Sequence, residues 1–185
     1  MKEFTIKSGS MILSDPCYER GIWCQGFVPK VKNGRWVAEV EFIGNRVSRL
    51  MAKHENAYDV RYSNDVEHNG QELDFNGGVD SGQFGYFDSD EYENNESVKD
   101  IETNLEGFDD CSKFYQVCCD KTLSKDSWGV LPGGVVSSTG YGDGSYITYG
   151  QKNGDNEYVA FTTIFIEEDE LEDEIDEVED EDIFN

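Results

Sequence analysis

Residues 157–166 read EYVAFTTIFI, and this stretch decides the fold class. With period two, Tyr158, Ala160, Thr162, Ile164 and Ile166 fall on one face, and Val159, Phe161, Thr163 and Phe165 on the other. β-Branched and aromatic side chains suit a pleated surface. A strand apolar on both faces is expected at the centre of a sheet, covered on both sides. Asn153-Gly154 lies just ahead, and Asn-Gly between extended runs signals a tight hairpin because both positions accept positive φ. The predicted pairing is 145–151 with 157–166.

The same reading extends upstream. Residues 35–43, RWVAEVEFI, place Trp36, Ala38, Val40 and Phe42 on one face, behind a second Asn-Gly at 33–34. A hairpin of 27–32 with 35–43 is predicted there. Residues 46–54 fit a helix or a strand pairing back on 35–43, and the strand is preferred. An opening hairpin of 3–7 and 10–14 and a strand over 83–87 complete the β inventory. One clear helix is expected over about 110–123, capped by Asp110, with Cys111, Phe114, Tyr115 and Cys118 as its apolar stripe. Residues 88–106 read as a loop with a short helix. The fold class is α+β, mostly β: an antiparallel, sandwich-like domain over 1–166 with an acidic tail at 167–185.

Charge divides the chain in the same way. Of 185 residues, 40 are acidic and 15 basic, a net −25. Residues 167–185 hold thirteen acids and no base, so the first 166 carry 27 acids against all 15 bases, a net of −12. Blocks of like charge repel and are expected as disordered interaction tails, although Leu171, Ile175 and Val178 would line one face of a helix formed on contact. Glu168, Asp169, Glu172, Asp173, Asp176 and Glu177 are the candidate tail contacts. Against the trend, Lys30, Lys32, Arg35, Arg46, Arg49, Lys53 and Arg61 crowd into residues 30–61. This stretch is a candidate site for an anionic ligand or a dock for the tail. The overall charge disfavours nucleic acid and anionic membranes and favours basic partners. No apolar run approaches the length of a membrane span, and MKEFTIKSGS is unlike a secretory leader. Five cysteines, an odd number, suggest reduced thiols and a cytoplasmic setting.

Four segments are rich in turn residues: DPCY (15–18), GGVDSGQFGYFD (77–88), LPGGVVSS (131–138) and TGYGDGSY (139–146). Glycine lets backbone approach a ligand. Asp15, Asp80, Ser81, Gln83, Tyr141, Asp143 and Ser145 would then present polar groups at the loop tips, the plainer alternative being β-turns alone. Ordinary phosphate-binding patterns are absent, because GYGDGSY runs into a strand rather than a helix. Asp88, Asp90 and Glu93 do not complete a calcium loop, and neither metal nor cofactor is expected. Cys17 after Pro16 is the candidate nucleophile, with His54 as a conceivable base. A small buried hydrophobe is the commoner role for such a cysteine. Cys118 belongs to the helix stripe, and Cys119 beside it is expected to be half-exposed.

The segments at Ser14–Tyr18, Val79–Gly85 and Gly133–Tyr146 resemble an uncharacterised family of small bacterial and phage proteins that share SDPCY-, VDSGQ-G- and GYGDGSY-like elements. The resemblance covers most of the body and not the tail. It implies that the Asp15, Asp80 and Asp143 loops belong to a common scaffold and that phage carriage is plausible; it implies little about activity.

Three functions follow as expectations. The first is a non-enzymatic acidic inhibitor, phage-accessory or immunity-like, that engages a basic host or cognate protein. The second is a binder of a small anionic ligand such as a nucleotide, through the glycine-rich loops and residues 30–61. The third is a hydrolase using Cys17 or the loop aspartates.

Overall fold

The computed structural model describes residues 1–58, 70–108 and 110–167. In chain order its strands are β1 (Lys2–Ile6), β2 (Ser10–Ser14), β3 (Gly26–Pro29), β4 (Gly34–Ile43), β5 (Arg46–His54), β6 (Gln71–Glu72), β7 (Gly77–Val79) and β8 (Gln83–Asp88). Two helices follow, α1 (Asn95–Val98) and α2 (Lys113–Thr122). The chain then returns to β9 (Trp128–Leu131), β10 (Gly134–Ser138), β11 (Gly144–Tyr146), β12 (Thr148–Lys152) and β13 (Tyr158–Ile164).

The strands form a six-stranded sheet ordered β1-β4-β5-β13-β12-β6, a five-stranded sheet ordered β3-β2-β8-β10-β9, and a small β11-β7 ladder. All named pairings are antiparallel. The predicted mostly-β, sandwich-like class is therefore what the chain adopts. β13 sits between β5 and β12, and Val159 through Ile164 are buried along both of its faces, as the two-sided apolar pattern requires.

Alternation along the strands explains the layering. Met11 and Leu13 of β2, Phe84 and Tyr86 of β8, and Val135 of β10 point into one core with Trp36, Leu50 and Phe161 of the six-stranded sheet. Their neighbours Ile12, Phe87 and Val136 point the other way, against Phe114, Val117 and Cys118 of α2 and Tyr92. The five-stranded sheet is thus the middle layer, with the larger sheet on one face and helix on the other. Phe161 stacks near Trp36 at 5.8 Å between ring centroids, and burying such a ring stabilises by roughly 1.5–3 kcal/mol. The Tyr86 hydroxyl crosses between the sheets to the Leu50 carbonyl at 2.8 Å and to Thr163 Oγ1 at 2.7 Å, so its burial leaves no orphaned polar group.

Several expected pairings are corrected. Residues 27–32 and 35–43 do not form a hairpin: β3 pairs with β2 in one sheet, and β4 lies between β1 and β5 in the other. Asn33-Gly34 instead ends a crossover between sheets. There the Asn33 side chain accepts from Gly9 N at 2.8 Å, its carbonyl meets His54 Nε2 at 3.1 Å, and Lys30 and Gly34 take φ of 57° and 130°. β1 and β2 likewise belong to different sheets. Their link is held by the buried Asp88 carboxylate, which accepts from the amides of Lys7 and Ser8 and, at its own turn, from Asp90. The 153–154 hairpin does form, but Asn156 rather than Gly154 takes the positive φ, and Asn153 Oδ1 closes the loop on the amides of Asp155 and Glu157. Residues 145–151 change partner on the way, β11 pairing with β7 and β12 with β13.

Residues 46–54 form a strand against β4, as preferred, and 83–88 another. The helix starts later than expected, because Ser112 accepts from Tyr115 N and supplies the cap in place of Asp110. Its buried stripe is Phe114, Val117, Cys118, Cys119 and Thr122, which turns Cys111 and Tyr115 toward partial exposure and buries Cys119.

Candidate functional site

Two of the turn-rich segments meet around one buried side chain, and a third joins them through a short ladder. Asp15, fully buried just after β2, accepts hydrogen bonds from Asp80 N at 2.9 Å, Ser81 N at 2.7 Å, Ser81 Oγ at 2.6 Å and Cys17 N at 2.9 Å. A carboxylate is all acceptor, so four converging donors suit it and fix the DPCY turn against the VDSG turn. Gln83 carries the tie onward: its amide nitrogen reaches Ser81 Oγ at 3.2 Å, and its oxygen accepts from Thr122 of α2 at 3.0 Å. The TGYGDGSY segment joins through the β11-β7 ladder, in which Gly144 pairs with Val79. Gly82 takes φ 67°, and an added Cβ there would lie 3.7 Å from Gly142 Cα, so the two glycine-rich turns lie against each other.

These contacts build one open cleft of about 500 Å³. Tyr18 comes from the first turn; Gly78, Val79 and Asp80 from the second; Asp143, Gly144 and Ser145 from the third. Ile22, Trp23 and Cys24, from the loop between β2 and β3, complete the lining. Trp23 is 88% exposed, whereas Trp36 and Trp128 are buried. Asp80, Asp143 and Ser145 are exposed, and among the described residues no lysine or arginine lines the cleft. Desolvation and then a hydrogen bond to Asp80 push the Tyr18 hydroxyl well above its ordinary range, so it is a neutral donor. Gly78 is required by space: a Cβ there would come within 2.9 Å of Cys24 Cβ.

Of the expected site residues, Asp15, Asp80, Ser81, Asp143 and Ser145 are therefore gathered in or under this cleft, while Gln83 faces the helix behind it. Tyr141 sits apart, 48% exposed, with the Arg46 guanidinium 4.8 Å over its ring and Arg46 donating to the Gly140 carbonyl at 3.1 Å. Trp23 and Ile22 escaped the sequence reading. Their signal was an apolar pair in the polar, glycine-flanked run ERGIWCQG, which has no helical or strand period.

The basic stretch is interleaved with acids. Arg35 meets Glu55 at 2.7 Å and Glu3 at 3.4 Å, Lys32 meets Glu157 at 2.9 Å, and Arg49 meets Glu41 at 3.7 Å, pairs formed across neighbouring strands or between segments. Lys30 stands exposed at the crossover. Arg61 and the tail residues Glu168, Asp169, Glu172, Asp173, Asp176 and Glu177 lie outside the described residues.

Cys17 is exposed, not the small buried hydrophobe expected. Partial desolvation and then the Asp15 carboxylate push its thiol up to about 12, which keeps it protonated near neutrality. His54 is buried with both ring nitrogens engaged, Nδ1 accepting from Asn56 N and Nε2 against the Asn33 carbonyl. Among the described residues no group of three or more His, Cys, Asp or Glu is arranged to hold a metal ion, and no helix is long and apolar enough to cross a membrane. Compared with protein-family models, curated proteins and solved structures, the chain matches none.

Proposed function

We propose that this protein acts by binding, and that its partner is a basic protein, in the manner of an accessory or immunity-like inhibitor working in a bacterial cytoplasm. The observation that carries the reading is the cleft. Asp15 ties the first two of three loops far apart in sequence, the β11-β7 ladder joins the third, and the charged side chains that line the cleft are carboxylates. A cationic partner surface would find complementary charge there, reinforced by a net −25 on the chain. The protonated Cys17 thiol and the fully engaged His54 ring support binding over nucleophilic hydrolysis. The ion pairs along residues 32–55 give less support to an anionic ligand on that stretch, since neighbouring carboxylates already offset its charge.

The test is affinity capture on the immobilised full chain at about 0.05 M and about 0.5 M salt, since screening lengths shorten strongly over that range. The retained proteins should be basic and should elute as salt rises. Retention of acidic or neutral proteins only, or retention indifferent to salt, would overturn the reading.

A further inference from the structure

We infer that the cleft between Trp23, Asp80 and Asp143 receives an arginine side chain carried on a segment of the partner protein; this rests on the basic-partner reading above. The first ground is the placement of the two carboxylates. Val79 and Gly144 are the last pair of the β7-β11 ladder, and Asp80 and Asp143 are the residues that follow and precede them, at the same end of the two opposing strands. Like charges so placed repel. Each is exposed, and among the described residues no lysine or arginine lines the cleft to offset them. A cation from outside would relieve that repulsion.

The second ground is independent of charge. Trp23 presents an 88% exposed indole at the rim, and Ile22 beside it is 39% exposed. An exposed aromatic and aliphatic pair bordering a cleft marks a recognition surface more often than a stray surface residue. An indole face also discriminates among cations. A guanidinium is planar, weakly hydrated and stacks on aromatic rings, and its fork of donors can serve two carboxylates at once. An ammonium is compact and strongly hydrated, and gains less from the ring. With about 500 Å³ of open space, the cleft also admits backbone flanking the side chain, as expected for an arginine within a protein segment.

The test uses the ¹⁵N-labelled full chain and follows the Trp23 indole N–H signal, assigned by its loss in Trp23→Phe. The probes are a blocked Gly-Arg-Gly-Arg-Gly peptide, the matching lysine peptide and free L-arginine. The arginine peptide should shift the Trp23 indole and the Gly78 and Gly144 amides. The lysine peptide should bind roughly fivefold more weakly, the size of an exposed cation–π contribution, and free arginine more weakly than the peptide. Asp143→Asn and Trp23→Ala change exposed residues, so thermal unfolding should stay unchanged while arginine-peptide affinity falls about fivefold or more. Shifts confined to residues 168–185, or equal affinity in the parent and both variants, would overturn the cleft assignment and leave the basic-partner reading standing. Absence of salt-sensitive capture in the preceding experiment would remove that reading whatever the peptide does.

Discussion

Replacing Asp15 tests whether one buried carboxylate assembles the cleft. In Asp15→Ala, the amides of Cys17, Asp80 and Ser81 and the Ser81 hydroxyl all lose their acceptor. Hydrogen bonds to a charged group contribute about 1.5–3 kcal/mol each. Four on one side chain are not additive, and Cys17 and Asp80 sit where water can replace part of the loss. A net cost of about 3–5 kcal/mol follows, in line with breaking a buried charged network from one side. For a chain of this length each kcal/mol lowers Tm by about 2–4 °C, so the expected drop is roughly 6–20 °C.

Asp15→Asn separates geometry from volume. Its oxygen, placed at the Oδ2 position, keeps the Asp80 and Ser81 amides, and Ser81 Oγ can turn to accept from the new NH2. Only Cys17 N is left facing a donor. The cost should be about 1–3 kcal/mol, between parent and alanine. Denaturant unfolding followed by circular dichroism gives the ranking. Amide hydrogen exchange gives the location, with Asp80 and Ser81 accelerated most. An alanine variant costing under about 1 kcal/mol, or an asparagine variant no better than alanine, would refute the claim that these donors depend on the carboxylate.

Two further outcomes follow from the same residues and from the turn at Asp88. The Cys17 thiol, pushed up to about 12 by desolvation and Asp15, should react with iodoacetamide at pH 8 roughly tenfold to a hundredfold more slowly than an ordinary cysteine despite its exposure, because the scarcer thiolate is only partly offset by its greater nucleophilicity, and faster in Asp15→Asn; alkylation at the ordinary rate in the folded parent would contradict this, as followed by mass spectrometry. Burial alone would raise the Asp88 carboxyl, but the amides of Lys7, Asp90 and Ser8 outweigh it and hold the group below its ordinary value. Its contribution to stability is therefore complete above the unfolded value near 3.9 and is lost as pH falls through the lower folded value. Asp88→Asn should be less stable at pH 7 by about 1–3 kcal/mol, and the gap from the parent should narrow as pH falls below the unfolded value near 3.9; a gap constant with pH in denaturant titrations would show that Asp88 carries no such linkage.

Strand positions were legible because side-chain alternation is local: EYVAFTTIFI and RWVAEVEFI each declare a pleated strand with no knowledge of neighbours. Partners were less legible. Asn33-Gly34 carries a strong local hairpin signal, yet the chain uses it at a crossover, because β4 finds β1 and β5 on its two edges while Val28 packs in β3 beside β2. Sequence separation hides that competition. The loops show the converse. Asp15, Asp80 and Asp143 could be nominated from turn chemistry, but nothing local says that one carboxylate accepts from the turn of another, or that Trp23 lines the same cleft as Asp80 and Asp143.

That gathering changes what the acidity of the chain means for binding. Net charge sets a diffuse field, screened within about 8 Å at physiological salt and open to any cation. The basic residues Lys32, Arg35 and Arg49 do not set up an opposing patch of comparable strength, because Glu157, Glu3, Glu55 and Glu41 meet them across the fold. At the cleft, by contrast, the backbone that carries two carboxylates is held by a ladder and a buried anchor, with an exposed indole in the lining and, among the described residues, no lysine or arginine there. Diffuse charge speeds encounter, whereas fixed groups that exclude the wrong cation give selectivity. The prediction that distinguishes them is therefore the preference for arginine over lysine, which a field from −25 charges cannot supply and an exposed Trp23 can.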